Sequence, residues 1–242
     1  MKIAICISGQ PRAYSTGFEY LEKNLLSEHD CEVFFHSWEN NVYTEREVRD
    51  LYAPAMYRWD PSLFKSNEIE DLRKKYTNTP NIKRHPPQFT IEAFYSMFSS
   101  MWLMSEWEIT HSKKFDWVVR TRFDFALNGK LPFEQLERGK IYIPNCRMVP
   151  ERDFGNDQFA FGDPIVMKQH MSAFLYLDHY YAGGYQMIGE EMMKANLRAY
   201  GLTGDKLVYV NMNHPFPPGE HNGTPHSLIR DDMNLWLKSS NN

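Results

Sequence analysis

Two near-continuous apolar runs, Lys2–Ser8 (KIAICIS) and residues 31–37 (CEVFFHS), do most to limit the fold. Neither alternates as a strand with one wet face would. Each therefore predicts a strand covered on both sides, as in a parallel sheet. Between them, residues 16–27 carry Phe18, Leu21, Leu25 and Leu26 on one side, the stripe of a packed helix. A strand–helix–strand opening predicts a right-handed parallel crossover. The alternation continues. Helices are expected at Glu45–Tyr52, 67–76, 90–111, 133–136, 164–180 and 186–200. Strands are expected at 55–59, 117–125, 140–143, 158–161 and Leu207–Val210. Residues 77–88 hold three prolines and no periodicity and read as a loop. Strands alternating with helices give an α/β fold, a mostly parallel sheet flanked by helices. No interior linker stands out, so one domain is expected over 1–242. Its tail, 213–242, should be irregular, with Pro215, Pro217, Pro218, Gly219 and Gly223.

The 117–125 strand does something a buried strand should avoid. After Trp117, Val118 and Val119 it places Arg120, Arg122 and Asp124 at spacings of two. Strand side chains alternate, so the three charges should share one face. Unpaired buried charge is costly, so that face should open into a polar crevice at the strand's carboxyl end, where open α/β sheets bind ligands. One carboxylate beside guanidiniums suits a metal-bridged or arginine-clamped diphosphate. The other reading is an internal Arg–Asp ion pair with no ligand.

Three further segments could carry chemistry. The loop Ser8-Gly9-Gln10-Pro11-Arg12 follows the first strand and should face the same crevice. Gly9 permits close backbone approach and Arg12 suits a phosphate or a base. The spacing is neither a dinucleotide fingerprint nor a P-loop, and a plain turn with a surface arginine fits it too. In NDQFAFG, Asp157 and Gln158 precede an apolar strand. They suit sugar hydroxyls or a general base; an Asx-type turn is the alternative. In the tail, His214, His221 and His226 offer imidazoles, one of which could complete a metal site begun by Asp124. His36 reads as a satisfied core histidine, with an orientation into the crevice as the alternative. One of Glu190 and Glu191, on an apolar helix, should face inward toward an acceptor, with a solvated face as the plain explanation.

The formal net charge of −4, without a basic tract, argues against duplex nucleic acid as a partner. Cys6, Cys31 and Cys146 are far apart, with no CxxC, so neither a zinc site nor a disulfide scaffold is indicated. A reducing compartment follows. The first apolar run is too short for a signal peptide, and no stretch approaches a membrane span.

Taken in order, KIAICISGQPR, CEVFFHSW, DWVVRTRFD and NDQFAFGDPIVM resemble segments of GT-A type nucleotide-sugar glycosyltransferases. The similarity is nearest to small ones of large viruses, phages and bacterial surface-polysaccharide loci. It covers about residues 1–200. The resemblance implies a Rossmann-like GT-A domain that moves a sugar from a UDP- or GDP-sugar to a glycan, lipid-linked sugar or other hydroxyl acceptor. It implies that Ser8, Gly9, Gln10 and Arg12 contact the nucleotide, with Arg120, Arg122, Asp124 and Gln158 around the donor. Asp157 becomes the catalytic or sugar-positioning group. A D-x-D element would hold Mn²⁺ or Mg²⁺; here it reads Arg122-Phe123-Asp124, so the metal ligands become Asp124 and His214. The departure from D-x-D places metal dependence in question, with Arg120 or Arg122 as a substitute charge. The expected location is the cytoplasm, a host's for a viral chain, with peripheral membrane association open. A non-catalytic nucleotide- or sugar-binding module on the same sheet is the rival reading. A Rossmann-type methyltransferase is disfavoured by the missing glycine-rich loop.

Overall fold

The computed structural model describes residues 1–40, 42–79, 86–127, 129–144, 156–210 and 227–228. From the start, β1 (Lys2–Ser8) leads through α1 (Tyr14–Leu21), which continues as a π-helical turn over Glu22–Leu26, to β2 (Asp30–Trp38). Then come α2 (Glu45–Tyr52), β3 (Met56–Asp60), α3 (Ser66–Lys75) and the long α4 (Pro87–His111). The second half holds β4 (Trp117–Thr121), the two-residue β5 (Phe125–Ala126), β6 (Ile141–Pro144) and β7 (Ala160–Gly162). It closes with α5 (Pro164–Met171), α6 (Leu177–Ala182), α7 (Gly189–Ala199), β8 (Leu207–Val210) and β9 (Ser227–Leu228).

Seven strands form one sheet in the order β3-β2-β1-β4-β7-β6-β8. All neighbours are parallel except β7, which runs antiparallel to both β4 and β6. The small β5–β9 pair is separate and antiparallel.

Both faces of the sheet are covered, which is why its central strands are apolar throughout. Ala4, Cys6, Phe34 and Val118 face a layer built by α4, α5 and α7, with Phe94, Met104, Met167 and Met192 buried in it. Ile3, Ile5, Phe35 and Val119 face α1 and α2, through Leu21, Leu25, Val48 and Tyr52. The expected α/β domain with a mostly parallel, helix-flanked sheet is what forms. Among the described residues no helix is long and apolar enough to cross a membrane.

Two expectations need correction. The strand expected over 117–125 ends at Thr121, and β5 begins only after a turn in which Phe125 N–H donates to the Arg122 carbonyl. The turn is pinned from outside: Gly17 of α1 lies so close that a Cβ there would overlap the Phe123 carbonyl oxygen. The helix expected over 164–180 breaks into α5, a 3₁₀ turn at Ser172–Tyr176, and α6. Asn196 Nδ2 of α7 donates to the carbonyls of Gln169 and His170 at 3.1 and 3.0 Å, and the Ser172 N–H turns back to Gln169 where α5 ends.

Candidate active site at the carboxyl edge of the sheet

The loop leaving β1 is stitched down by its glycine. Gly9 adopts φ 109°, which a side chain would resist. Its N–H donates to Ser96 Oγ at 2.8 Å and to the His36 carbonyl at 3.3 Å, and its carbonyl accepts from Ser37 Oγ at 3.1 Å. The backbone of the loop is thus held by β2 and α4, and its side chains are left over. Gln10 and Arg12 are both exposed. Neither makes a hydrogen bond or ion pair with another described residue in this fold. Ser8 is buried and accepts from Arg120 Nη2 at 3.3 Å.

Behind the loop, His36 is the satisfied core residue expected of it. Nδ1 lies 2.8 Å from Ser96 Oγ and Nε2 lies 3.2 Å from Asp60 Oδ2. Asp60 also binds Arg58 Nε at 2.7 Å. Burial pulls the imidazole down to about 4, against the pull of Asp60. At neutral pH it is uncharged, with Nε2–H donating to Asp60.

At the end of β4 the three charges do not line one strand face. Arg120 is the last but one residue of the strand and faces the α4–α5 layer, in register with Cys6. Arg122 and Asp124 lie in the turn beyond it and pair with each other. Arg122 Nε and Nη2 donate to Asp124 Oδ1 and Oδ2, both at 2.7 Å. The Asp124 side chain is 0% exposed and that of Arg122 is 26% exposed. The internal ion pair is therefore real, and breaking it by removing one partner costs about 3–5 kcal/mol. Burial disfavours the Arg122 charge, but Asp124 outweighs it and the guanidinium is raised.

Arg120 is left differently. It is 4% exposed, and its Nε and Nη1 have no hydrogen-bond partner. Burial brings its guanidinium down to about 10, with the charge of Asp157 opposing most strongly. Beside it on α5, His170 is fully buried with both ring nitrogens unpartnered. Burial and the Arg120 charge bring that imidazole down to about 3, so it is neutral.

Asp157 arrives from the reversed strand. The turn that starts β7 is made by Asn156, whose Oδ1 accepts from the N–H groups of Gln158 and Phe159 at 2.8 and 3.0 Å. Asp157 is thereby spared for other work. Its carboxylate lies against the first turn of α7, so close to Gly189 that a Cβ there would collide with Oδ2. A helix N-terminus favours negative charge. Its charge also supports both Arg120 and Arg122. Gln158 follows it, half-buried.

Glu190 joins the group. Burial first, then the neighbouring charge of Asp157, raises its carboxyl above the usual range. A solvated face was the plain sequence reading of Glu190 and Glu191. The apolar helix that carries them is the signal for the other reading, in which one of the pair faces inward.

The structure thus brings Ser8, Arg120, Arg122, Asp124, Asp157 and Glu190 to one edge, formed by the carboxyl ends of β1 and β4 and the entry to β7. His214, His221, His226 and Cys146 lie outside the described residues. Among the described residues no three His, Cys, Asp or Glu side chains could together hold a metal ion. Asp124 has both oxygens committed to Arg122. The described residues therefore do not fit a resident divalent cation at this position.

At the opposite, amino end of the parallel strands opens a cavity of about 510 Å³, lined by Glu108, Lys114, Arg138, Asp163 and Lys168. Its charges are already paired: Glu108 with Lys168 and Lys114, and Asp163 with the N–H groups of Gly139, Ile165 and Val166. At the other edge, by contrast, Arg120 Nε and Nη1 are left without partners.

A family model described as a domain of unknown function, DUF7796, matches residues 1–222. The chain belongs to that family. No curated protein matches the sequence. The DUF7796 match contains the whole cluster, from Ser8 to Glu190.

Proposed function

We propose that the chain is a glycosyltransferase that moves a sugar from a nucleotide diphosphate sugar, UDP- or GDP-linked, to a hydroxyl acceptor such as a glycan. The observation that carries this reading is the meeting of two guanidiniums with a spared carboxylate at the carboxyl edge of a parallel sheet. The leaving diphosphate develops negative charge, which preorganised guanidinium donors stabilise. The acceptor hydroxyl must lose a proton, and Asp157 is the group held in place to receive it. Its backbone is fixed by the Asn156 turn, and its carboxylate is not consumed by that turn. Glu190, with its raised carboxyl, stands next to it as a second proton carrier. In a retaining reaction the same Asp157 would position the donor sugar instead.

The deciding experiment is a thermal-shift screen of UDP- and GDP-sugars, followed by transfer assays on the donors that stabilise. Saturation at 100 times the dissociation constant should add about 2.7 kcal/mol of apparent stability. Transfer or donor hydrolysis by the wild type, lost in Asp157→Asn, upholds the reading. Donor binding with no turnover across a broad acceptor panel would make the chain a binding module, and no donor binding would remove the nucleotide-sugar reading.

A further inference from the structure

We infer that the charge of a bound nucleotide diphosphate is met by Arg120 and the open edge of Arg122, and not by a divalent cation held on Asp124. This rests on the nucleotide-sugar reading above and specifies how that site works.

The donor set argues first. Asp124 is the acid at the position where a metal ligand would be expected. Each of its oxygens accepts a guanidinium N–H at 2.7 Å, and its side chain is 0% exposed. A divalent ion on Asp124 would have to break two charge-assisted bonds and then stand beside the arginine it displaced. Neither step is favoured in a low-dielectric site. Among the described residues, Asp157 and Glu190 are the other carboxylates tied to this cluster, while Asp60, farther along the same edge, is committed to His36 and Arg58.

The donors argue second, and independently. A buried guanidinium that lacks acceptors is costly to keep, and such groups in folded proteins are nearly always satisfied. Arg120 Nε and Nη1 have no partner, and among the described residues its one hydrogen bond is the 3.3 Å contact to Ser8. Ser8 is also the first residue of the SGQPR loop, so the guanidinium lies at the level where a phosphate held by that loop would stand. His170 beside it is neutral and offers no competing anion. Arg122 spends Nε and Nη2 on Asp124 and keeps Nη1, on a side chain that reaches solvent. An oxyanion with several lone pairs satisfies this set. A diphosphate supplies such lone pairs on both of its phosphates.

The test is calorimetric titration of UDP and of GDP into the full chain, in EDTA and again in excess Mn²⁺. Wild-type affinity for at least one diphosphate should agree within about threefold between the two conditions. Arg120→Lys should weaken it at least tenfold in EDTA, because a single ammonium cannot replace the guanidinium fork. If Arg120→Lys does not fold, the wild-type comparison decides alone. Affinity that rises more than threefold with Mn²⁺ overturns the inference and leaves the nucleotide-sugar reading standing. Unchanged EDTA affinity in folded Arg120→Lys overturns it as well. No binding of either diphosphate in either condition removes both.

Discussion

Asn156 and Asp157 are neighbours with opposite fates, and side-chain geometry decides which is which. Asn156 accepts from two backbone N–H groups, so the turn belongs to it. The sequence placed Asp157 and an Asx-type turn in the same place and could not say which residue made the turn. If Asp157 carries the chemistry, Asp157→Asn should bind the nucleotide diphosphate almost as wild type does while transfer falls by about 10²–10⁴, the range for losing a general base. Initial rate and affinity on one preparation check this; wild-type turnover in the variant would contradict it. His170 offers a second test at this scale. Its folded pKa of about 3, and that of His36 near 4, lie below the ordinary value of 6.5. The unfolded chain therefore takes up protons first as pH falls. The stability from both neutral rings is full above pH 6.5 and is lost between there and about pH 3. His170→Leu should remove one proton from that uptake and flatten the slope of stability between pH 6 and 5 by up to about 1.4 kcal/mol per pH unit. Urea unfolding at the two pH values measures it, and an unchanged slope would contradict it.

The elements were largely legible, because covered parallel strands and striped helices leave strong patterns. Glu45–Tyr52 and Leu207–Val210 form as the pattern predicts. What was not legible was the end of β4. The run Trp117 to Phe125 reads as one strand because a β-forming apolar start passes into charges that alternate with Thr121 and Phe123. The strand stops because α1 presses on the following turn, a contact between residues about a hundred positions apart, which no local pattern records. That contact depends on Gly17. Gly17→Ala must push α1 away from the Phe123 carbonyl and should destabilise by about 1–3 kcal/mol, as overpacking does. It should also loosen the Arg122–Asp124 pair that the turn carries. Chemical denaturation, beside the melting of Asp124→Ala, tests both. Asp124→Ala leaves Arg122 without its partner and should cost about 3–5 kcal/mol. A Gly17→Ala protein as stable as wild type would show that α1 shifts freely.

On the scale of the molecule, the two ends of the sheet divide the work. The amino end is a closed account of charge: buried Glu108 is held by Lys168 at 2.5 Å and Lys114 at 3.4 Å. The carboxyl end leaves donors open. Lys168→Met should strand most of the Glu108 charge and cost about 3 kcal/mol in stability. Diphosphate affinity should not change, because no site residue touches Lys168. Melting and titration on the same variant separate the two effects, and a joint loss would mean that the ends are coupled. The layered α/β architecture could be read from alternation alone. The reversal of β7 could not, because a three-residue strand carries no mark of its direction.

That reversal has a consequence for how such a chain can diversify. Because β7 runs against its neighbours, the connection from β6 into β7 leaves and re-enters on one rim of the sheet. It need not cross the sheet, so its length is almost free. Lengthening a loop costs only a slowly growing closure entropy. Such a connection can gain or lose residues while its two described ends, Pro144 and Asn156, stay where the sheet and the turn hold them. A lineage could retune what it accepts at that rim while the framework of covered strands stays untouched.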